Sequence, residues 1–203
     1  MKKILIKNLT ITYDKLVVLK DFNAEFNNGI HWIQGHNGSG KSSLLKSLCG
    51  INPVNRGMVS ICGHDIVNQA INAKSKLCFV ADKPDVYPFI KGMQFLKMVA
   101  KIKGVNLSRE LYDWLDAINL SQYKDTDFSQ MSFGTRRKFT LSTAFIGNPQ
   151  VLLLDEPFNG LDKETIKQFE LWLQKVKNDK CLLIVSHDAH ILEELKNSSM
   201  VLD

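Results

Sequence analysis

Residues 35–42 read Gly-His-Asn-Gly-Ser-Gly-Lys-Ser, which satisfies the spacing G-x-x-x-x-G-K-[ST] at every specified position. Gly35, Gly38 and Gly40 let the backbone wrap so that successive N–H groups converge on an anion. His36, Asn37 and Ser39 fill the loop between them, and Ser43 follows in the first helical turn. Lys41 adds a mobile positive charge, Ser42 a hydroxyl for a Mg²⁺ carried on a polyphosphate, and the helix N-terminus a further partial positive charge. The flanks fit the same reading. Ile30 to Ile33 is an apolar run of strand type, and Leu44, Leu45 and Leu48 share a helix face that stops at Gly50. A strand, a glycine loop and a helix in this order predict a nucleoside triphosphate site, whereas a mere Gly-rich turn lacks that context.

A chain of 203 residues has room for one well-buried domain with an inserted lobe, and too little for two domains of average size. Its hydrophobic content of 44% and charged content of 23% are those of a soluble globular protein. No run approaches the roughly 18 apolar residues of a membrane span, and Met1-Lys2-Lys3-Ile4-Leu5 continues as an alternating strand rather than a signal peptide. A cytoplasmic chain is expected. The net charge of +5 is dispersed as a solvated face, so no nucleic-acid partner is expected; Arg136, Arg137 and Lys138 form the densest basic cluster. Cys49, Cys62, Cys78 and Cys181 lack C-x-x-C spacing and read as reduced thiols.

From Ile4 to Phe26 apolar and polar residues alternate in runs broken at Asp14-Lys15 and at Asp21, which predicts antiparallel strands; Val59 to Ile61 adds another. The period then changes. Met93, Leu96 and Val99-Ala100 fit one helix, and Leu111, Leu115 and Ile118 another behind Ser108 as N-cap. Val151 to Leu154 and Cys181 to Val185 are continuous apolar runs of the kind found in parallel strands buried on both faces. Ile166, Phe169, Leu173 and Val176 place a helix between them, capped by Asp162. Such a series predicts an α/β core whose ligand sits at the carboxyl ends of the strands.

Asp155-Glu156 follows the first of these runs, at the strand end where a metal-bound nucleotide would lie. Asp155 is the candidate to hold the metal with Ser42, and Glu156 to orient and polarise the attacking water. With these residues in place the chain resembles the ATP-binding cassette (ABC) ATPases over nearly all its length. The resemblance implies a P-loop NTPase fold with a RecA-like parallel-sheet core, an N-terminal antiparallel β subdomain and a helical subdomain inserted at about 83–146, within a single ATP-binding domain spanning 1–203. It implies ATP and Mg²⁺ as cofactors, with Lys41, Glu156 and His187 as the catalytic set. His187 corresponds to a switch histidine on the γ-phosphate, although a lone histidine after a strand is often structural. Tyr13 corresponds to the aromatic that stacks on adenine; the alternative is an ordinary strand tyrosine. Met131-Ser132-Phe133-Gly134-Thr135 stands at the signature Leu-Ser-Gly-Gly-Gln, so that Ser132, Phe133 and Gly134 are expected to reach a nucleotide held by a second subunit. The helix behind this segment is expected to begin near Gly134 and end at Gly147-Asn148-Pro149. Asn159-Gly160-Leu161-Asp162 is similar to the loop that crosses between subunits, which brings Asp162 to the nucleotide side.

Two positions depart from the family pattern. Asp82 stands where the family has glutamine; its carboxylate can reach Mg²⁺ or its water but cannot donate as an amide does. Phe133 replaces the first signature glycine and Thr135 the glutamine. The resemblance implies a dimer, identical or mixed, closed by ATP and coupled to membrane-spanning transporter subunits from the inner face of the membrane. Pro84-Asp85-Val86-Tyr87-Pro88-Phe89 is similar to the membrane-subunit docking segment of exporter ATPases, so export is the expected direction. The alternative is a soluble ABC ATPase acting on DNA, ribosomes or iron–sulfur assembly, against which stand the lack of long heptad insertions and of a second cassette.

Overall fold

A computed structural model describes residues 2–14, 16–83 and 85–202. Lys15 of the expected strand break, Pro84 of the docking segment, and the chain ends Met1 and Asp203 of the expected 1–203 domain lie outside the described residues. In chain order the elements are β1 (Ile4–Tyr13), β2 (Leu16–Phe26), β3 (Gly29–Gln34), α1 (Lys41–Leu48), β4 (Arg56–Ile61), β5 (His64–Asp65), α2 (Ala70–Ser75), β6 (Leu77–Val80), α3 (Gly92–Ile102), α4 (Arg109–Ala117), α5 (Phe133–Leu141), β7 (Val151–Asp155), α6 (Lys163–Val176), β8 (Cys181–Val185), α7 (Ala189–Leu195) and β9 (Ser198–Val201). Two sheets result: an antiparallel one in the order β2-β1-β4-β5 and a parallel one in the order β6-β7-β8-β3-β9.

The parallel sheet separates two apolar clusters, and the alternation of each strand supplies both. Leu152, Leu154, Leu182, Ile184 and Trp32 face the helices of α3 to α7. Val151, Leu153, Leu183 and Ile33 face α1 and the antiparallel sheet. This two-sided burial is why β7 and β8 read as unbroken apolar runs. The segment between β6 and β7 carries α3, α4 and α5. A ladder of rings ties it to the core: Trp114 stacks on Phe145 at 4.7 Å, Phe145 meets Trp172 at 4.2 Å, and Trp172 stacks on Phe169 at 5.6 Å.

Ser108 and Asp162 cap their helices as read from the sequence, accepting from the Leu111 and Thr165 amides. Two boundaries differ. Asp21 does not break its strand, because it adopts a left-handed φ of 47° and donates its N–H to Thr10 Oγ1, so β2 bulges and continues. The helix behind Ser132 stays α-helical only to Leu141 and then tightens into a 3₁₀ turn, Ser142–Phe145. Ser142 and Thr143 turn their hydroxyls back onto the carbonyls of Lys138 and Thr140, competing with regular helix there. All four cysteines are free thiols, three of them buried.

Gly92 begins α3 against a wall: a Cβ there would lie 2.2 Å from the Phe139 ring, which is itself 1% exposed and has nowhere to go. Gly92→Ala is therefore expected to cost about 1–3 kcal/mol by overpacking, read as a lowered urea midpoint at an unchanged slope.

Candidate nucleotide-binding site

β3 runs parallel to β8 and delivers the chain into the glycine loop, which turns at once into α1. Gly35 and Gly40 have φ of 149° and 90°, and a Cβ on Gly35 would meet the Leu202 carbonyl at 2.3 Å and Ser39 Oγ at 2.5 Å. Gly38, with φ 90°, has open space where its Cβ would be. Lys41 folds back to donate to the carbonyls of Gly35 at 2.7 Å and His36 at 2.8 Å, drawing the loop closed around its ammonium. Ser39 Oγ is buried there with no partner. A cradle with open space at Gly38 and an unmatched hydroxyl fits a ligand rich in acceptors, as a polyphosphate is.

The opposite wall comes from the ends of β7 and β8. Asp155 is the last residue of β7 and 4% exposed; burial raises its carboxyl above the usual range, offset in part by a hydrogen bond from Ser42. Glu156 follows at a left-handed φ of 47°, its N–H donating to the Val185 carbonyl at 2.8 Å. Its Oε2 accepts from the His187 N–H at 3.2 Å, and its Oε1 lies 3.5 Å from His187 Nε2. Burial raises the Glu156 carboxyl too, against the pull of the His187 backbone amide. Asp82 Oδ1 accepts from Asn159 Nδ2 at 3.1 Å on the third side.

Between the walls lies a cavity of about 1000 Å³. It gathers Asn37, Gly38, Gly40, Lys41, Ser42 and Ser43 opposite Asp82, Asp155, Glu156 and His187. Hydroxyl and carboxylate oxygens are the donor set of a Mg²⁺ site. Among the described residues no group of three or more His, Cys, Asp or Glu could hold an ion unaided. The cation would therefore take its remaining ligands from phosphate and water.

Besides Gly35, His36 and Ser39 of the loop itself, five expected site residues do not line this cavity: Tyr13, Ser132, Phe133, Gly134 and Asp162. Tyr13 is 43% exposed, and its phenol donates to Ser43 Oγ and accepts from Asn52 Nδ2. Ser132 caps α5 through the Thr135 amide, and Phe133 packs on Gly160, where a Cβ would lie 2.3 Å from its ring. Asp162 is occupied within its own chain. Its Oδ1 takes the Thr165 amide and its Oδ2 the Lys138 ammonium at 2.6 Å, so within its own chain it serves as a helix cap and an ion-pair partner.

Two contributors escape a reading of the sequence. Arg137, 1% exposed, donates to the carbonyls of Ala81, Asp82, Asp155 and Glu156. Its periodicity was the available signal, since it falls on one helical stripe with Leu141 and Ala144. Trp32 Nε1 donates to the Ser186 carbonyl from a strand far away in sequence, and no local pattern marks it.

A glycine loop at the end of a parallel strand, a basic first helical turn and two carboxylates at a strand end one strand further along the same sheet define a P-loop nucleotide-binding protein. The sequence profile described as ABC transporter matches residues 19–159, and the chain belongs to that family. It is 26% identical over 199 residues to the uncharacterized ABC transporter ATP-binding protein YhcH of Bacillus subtilis, covering 97% of this chain and 65% of that protein. It is also 26% identical over 211 residues to ABC transporter A family member 8 of Dictyostelium discoideum, covering 98% of this chain and 25% of that protein. The chain thus spans from a quarter to just under two thirds of the length of these relatives. The fold superposes with TM-score 0.87 and 21% identity on a dimeric ATP-binding cassette in a post-hydrolysis state bound to ADP and Pi, over 98% of this chain and 94% of that one.

Burial alone would push the Asp162 carboxyl up, but the Lys138 ammonium and the Thr165 amide outweigh it and hold it down at about 2. A folded value below the unfolded one, roughly 3.9, stabilises above about pH 4 and loses that stabilisation as pH falls toward 2. Asp162→Asn keeps a capping oxygen and loses the ion pair. With that carboxylate 55% exposed, screening limits the cost at pH 7 to about 0.5 kcal/mol. Urea midpoints should show this gap at pH 7 and a smaller one at pH 3.

Proposed function

We propose that this chain is the ATP-binding and ATP-hydrolysing subunit of an ABC transporter, driving substrate movement through separate membrane-spanning subunits. One observation carries the reading: a single cavity sets Lys41 and Ser42 against Asp155 and Glu156, with His187 on the Glu156 carboxylate. Bound Mg²⁺-ATP supplies the scissile phosphoanhydride and the charge neutralisation of the cation. Lys41 can exchange its two backbone carbonyls for phosphate oxygens without leaving the loop. Ser42 and Asp155, both on the cavity wall, are the residues to hold the cation, with Asp82 at the third side of the cavity. Glu156 orients a water and accepts its proton, and a carboxyl raised by burial is a stronger base for that step. His187 fixes the carboxylate through its amide and can place its ring at the γ-phosphate end.

Ser132, Phe133 and Gly134 lie outside their own chain's cavity, which supports their use at the nucleotide of a second subunit in a head-to-tail pair. The Tyr13 phenol on Ser43 Oγ, next to the loop residues of the cavity, supports its use on the adenine side. Among the described residues no helix is long and apolar enough to cross a membrane. Attachment to the inner face of the membrane would then run through partner subunits. Tyr87 and Phe89 support this, standing 66% and 75% exposed with their rings stacked at 5.7 Å. Export remains the expected direction, on the resemblance of that segment alone.

Glu156→Gln should retain ATP binding and accumulate a closed dimer, seen as ATP-dependent doubling of mass by light scattering. No added dimer would overturn pairing of this chain with itself. Lys41→Ala should weaken ATP binding by roughly 30-fold or more in a fluorescence titration. Unchanged affinity would remove the phosphate-loop assignment.

A further inference from the structure

The ladder between β3 and β8 ends at the pair Ile33 and Val185, so the next carbonyl, that of Ser186, has no strand partner. Ser186 is nevertheless buried, at 3% exposure, and a buried carbonyl without a donor is costly. Trp32 fills the gap from the neighbouring strand: its indole Nε1 donates to the Ser186 oxygen at 2.9 Å. The indole is itself 5% exposed, with the Lys196 ammonium 5.3 Å from its ring centroid.

The Ser186 carbonyl and the His187 N–H belong to one planar peptide unit. Its oxygen accepts from Trp32, and its nitrogen donates to Glu156 Oε2 at 3.2 Å. Hydrogen bonds in series through a peptide strengthen one another, and the planar group passes any tilt at one end to the other. The turn has further ties, among them the His187 ring 3.5 Å from Glu156 Oε1 and hydrogen bonds within the turn itself. Ser186 Oγ accepts from the Asp188 amide and donates to Asp188 Oδ2, both at 3.1 Å, and Ala189 N–H donates to the His187 carbonyl at 2.9 Å. The indole bond anchors this peptide to a strand that is itself continuous with the glycine loop.

We infer that Trp32 is a positioning residue for hydrolysis: through the Ser186–His187 peptide it sets where the Glu156 carboxylate points. The consequence for turnover rests on the ATPase reading above, while the placement of the peptide does not. Because β3 also feeds the glycine loop, the strand that presents Lys41 to the phosphates anchors the opposite, catalytic wall as well.

The test replaces Trp32 with 3-benzothienyl-alanine in the full-length chain, which keeps the outline of indole and puts sulfur where the N–H was; Trp32→Phe serves as the second variant. Two measurements are made: the ¹⁵N–¹H resonance of the His187 amide, and kcat and KM for ATP. The His187 amide is expected to move upfield and exchange faster with solvent. kcat should fall roughly tenfold with KM within about twofold, as for a group acting after substrate is bound. A His187 amide that stays in place overturns the inference, and so does an amide that moves while kcat holds. If the unmodified chain hydrolyses no ATP, the ATPase reading has failed, and the His187 amide still decides whether Trp32 holds the peptide.

Discussion

The guanidinium of Arg137 is the contact on which the rest of the site depends. Two strands stop beneath it, and their last carbonyls leave the sheet inside the protein, where water cannot satisfy them. A planar cation with several fixed donors meets such a need where an ammonium cannot. Arg137 donates to both strand exits at once, to Ala81 and Asp82 after β6 and to Asp155 and Glu156 at the end of β7. Burial lowers its basicity, while the nearby carboxylates of Asp82, Asp155 and Glu156 favour its charge. The acidic wall of the cavity and the cation behind it therefore stabilise one another, and α5, which carries both Arg137 and the Ser132 cap, is locked to that wall.

Charge of opposite sign is thus layered through the site. The Lys41 ammonium sits in the glycine loop, the carboxylates of Asp155 and Glu156 stand across the cavity, and the Arg137 cation lies behind them. Desolvation of the carboxylates leaves them ready to take up a proton or a cation, which is the property the proposed chemistry uses. Glu156 owes its place to a left-handed backbone turn, held by its own N–H on the Val185 carbonyl. The strained residue and the one assigned to proton transfer are the same.

What was legible in the sequence was local. The loop at 35–42, the caps at Ser108 and Asp162, and the apolar runs of β7 and β8 each follow from neighbours a few residues apart, and each stands where it was expected. Arg137 was hidden because one residue among Arg136, Arg137 and Lys138 reads as surface charge unless its helical phase is counted. Trp32 was hidden because its partner lies 154 residues away and an indole inside an apolar run reads as packing alone. Asp21 looked like a break since aspartate favours turns, yet a hydrogen bond from its N–H to Thr10 turns the same preference into a bulge. The sequence around Asp162 is compatible both with a helix cap and with a loop that crosses between subunits. The cap is in place, and its second oxygen is taken by Lys138.

The helices between β6 and β7 have no core of their own. Leu96, Leu111 and Phe139 belong to the same continuous apolar cluster as Leu152, Leu154 and Ile184 of the parallel sheet. A lobe joined to its base by a hinge swings as a rigid arm, because little apolar surface is broken when it moves. Here a swing of that kind would open part of the shared cluster to water, and its cost would rise with the apolar area exposed. Any displacement of this segment is therefore felt at the parallel sheet, whose strand ends carry the carboxylates of the cavity.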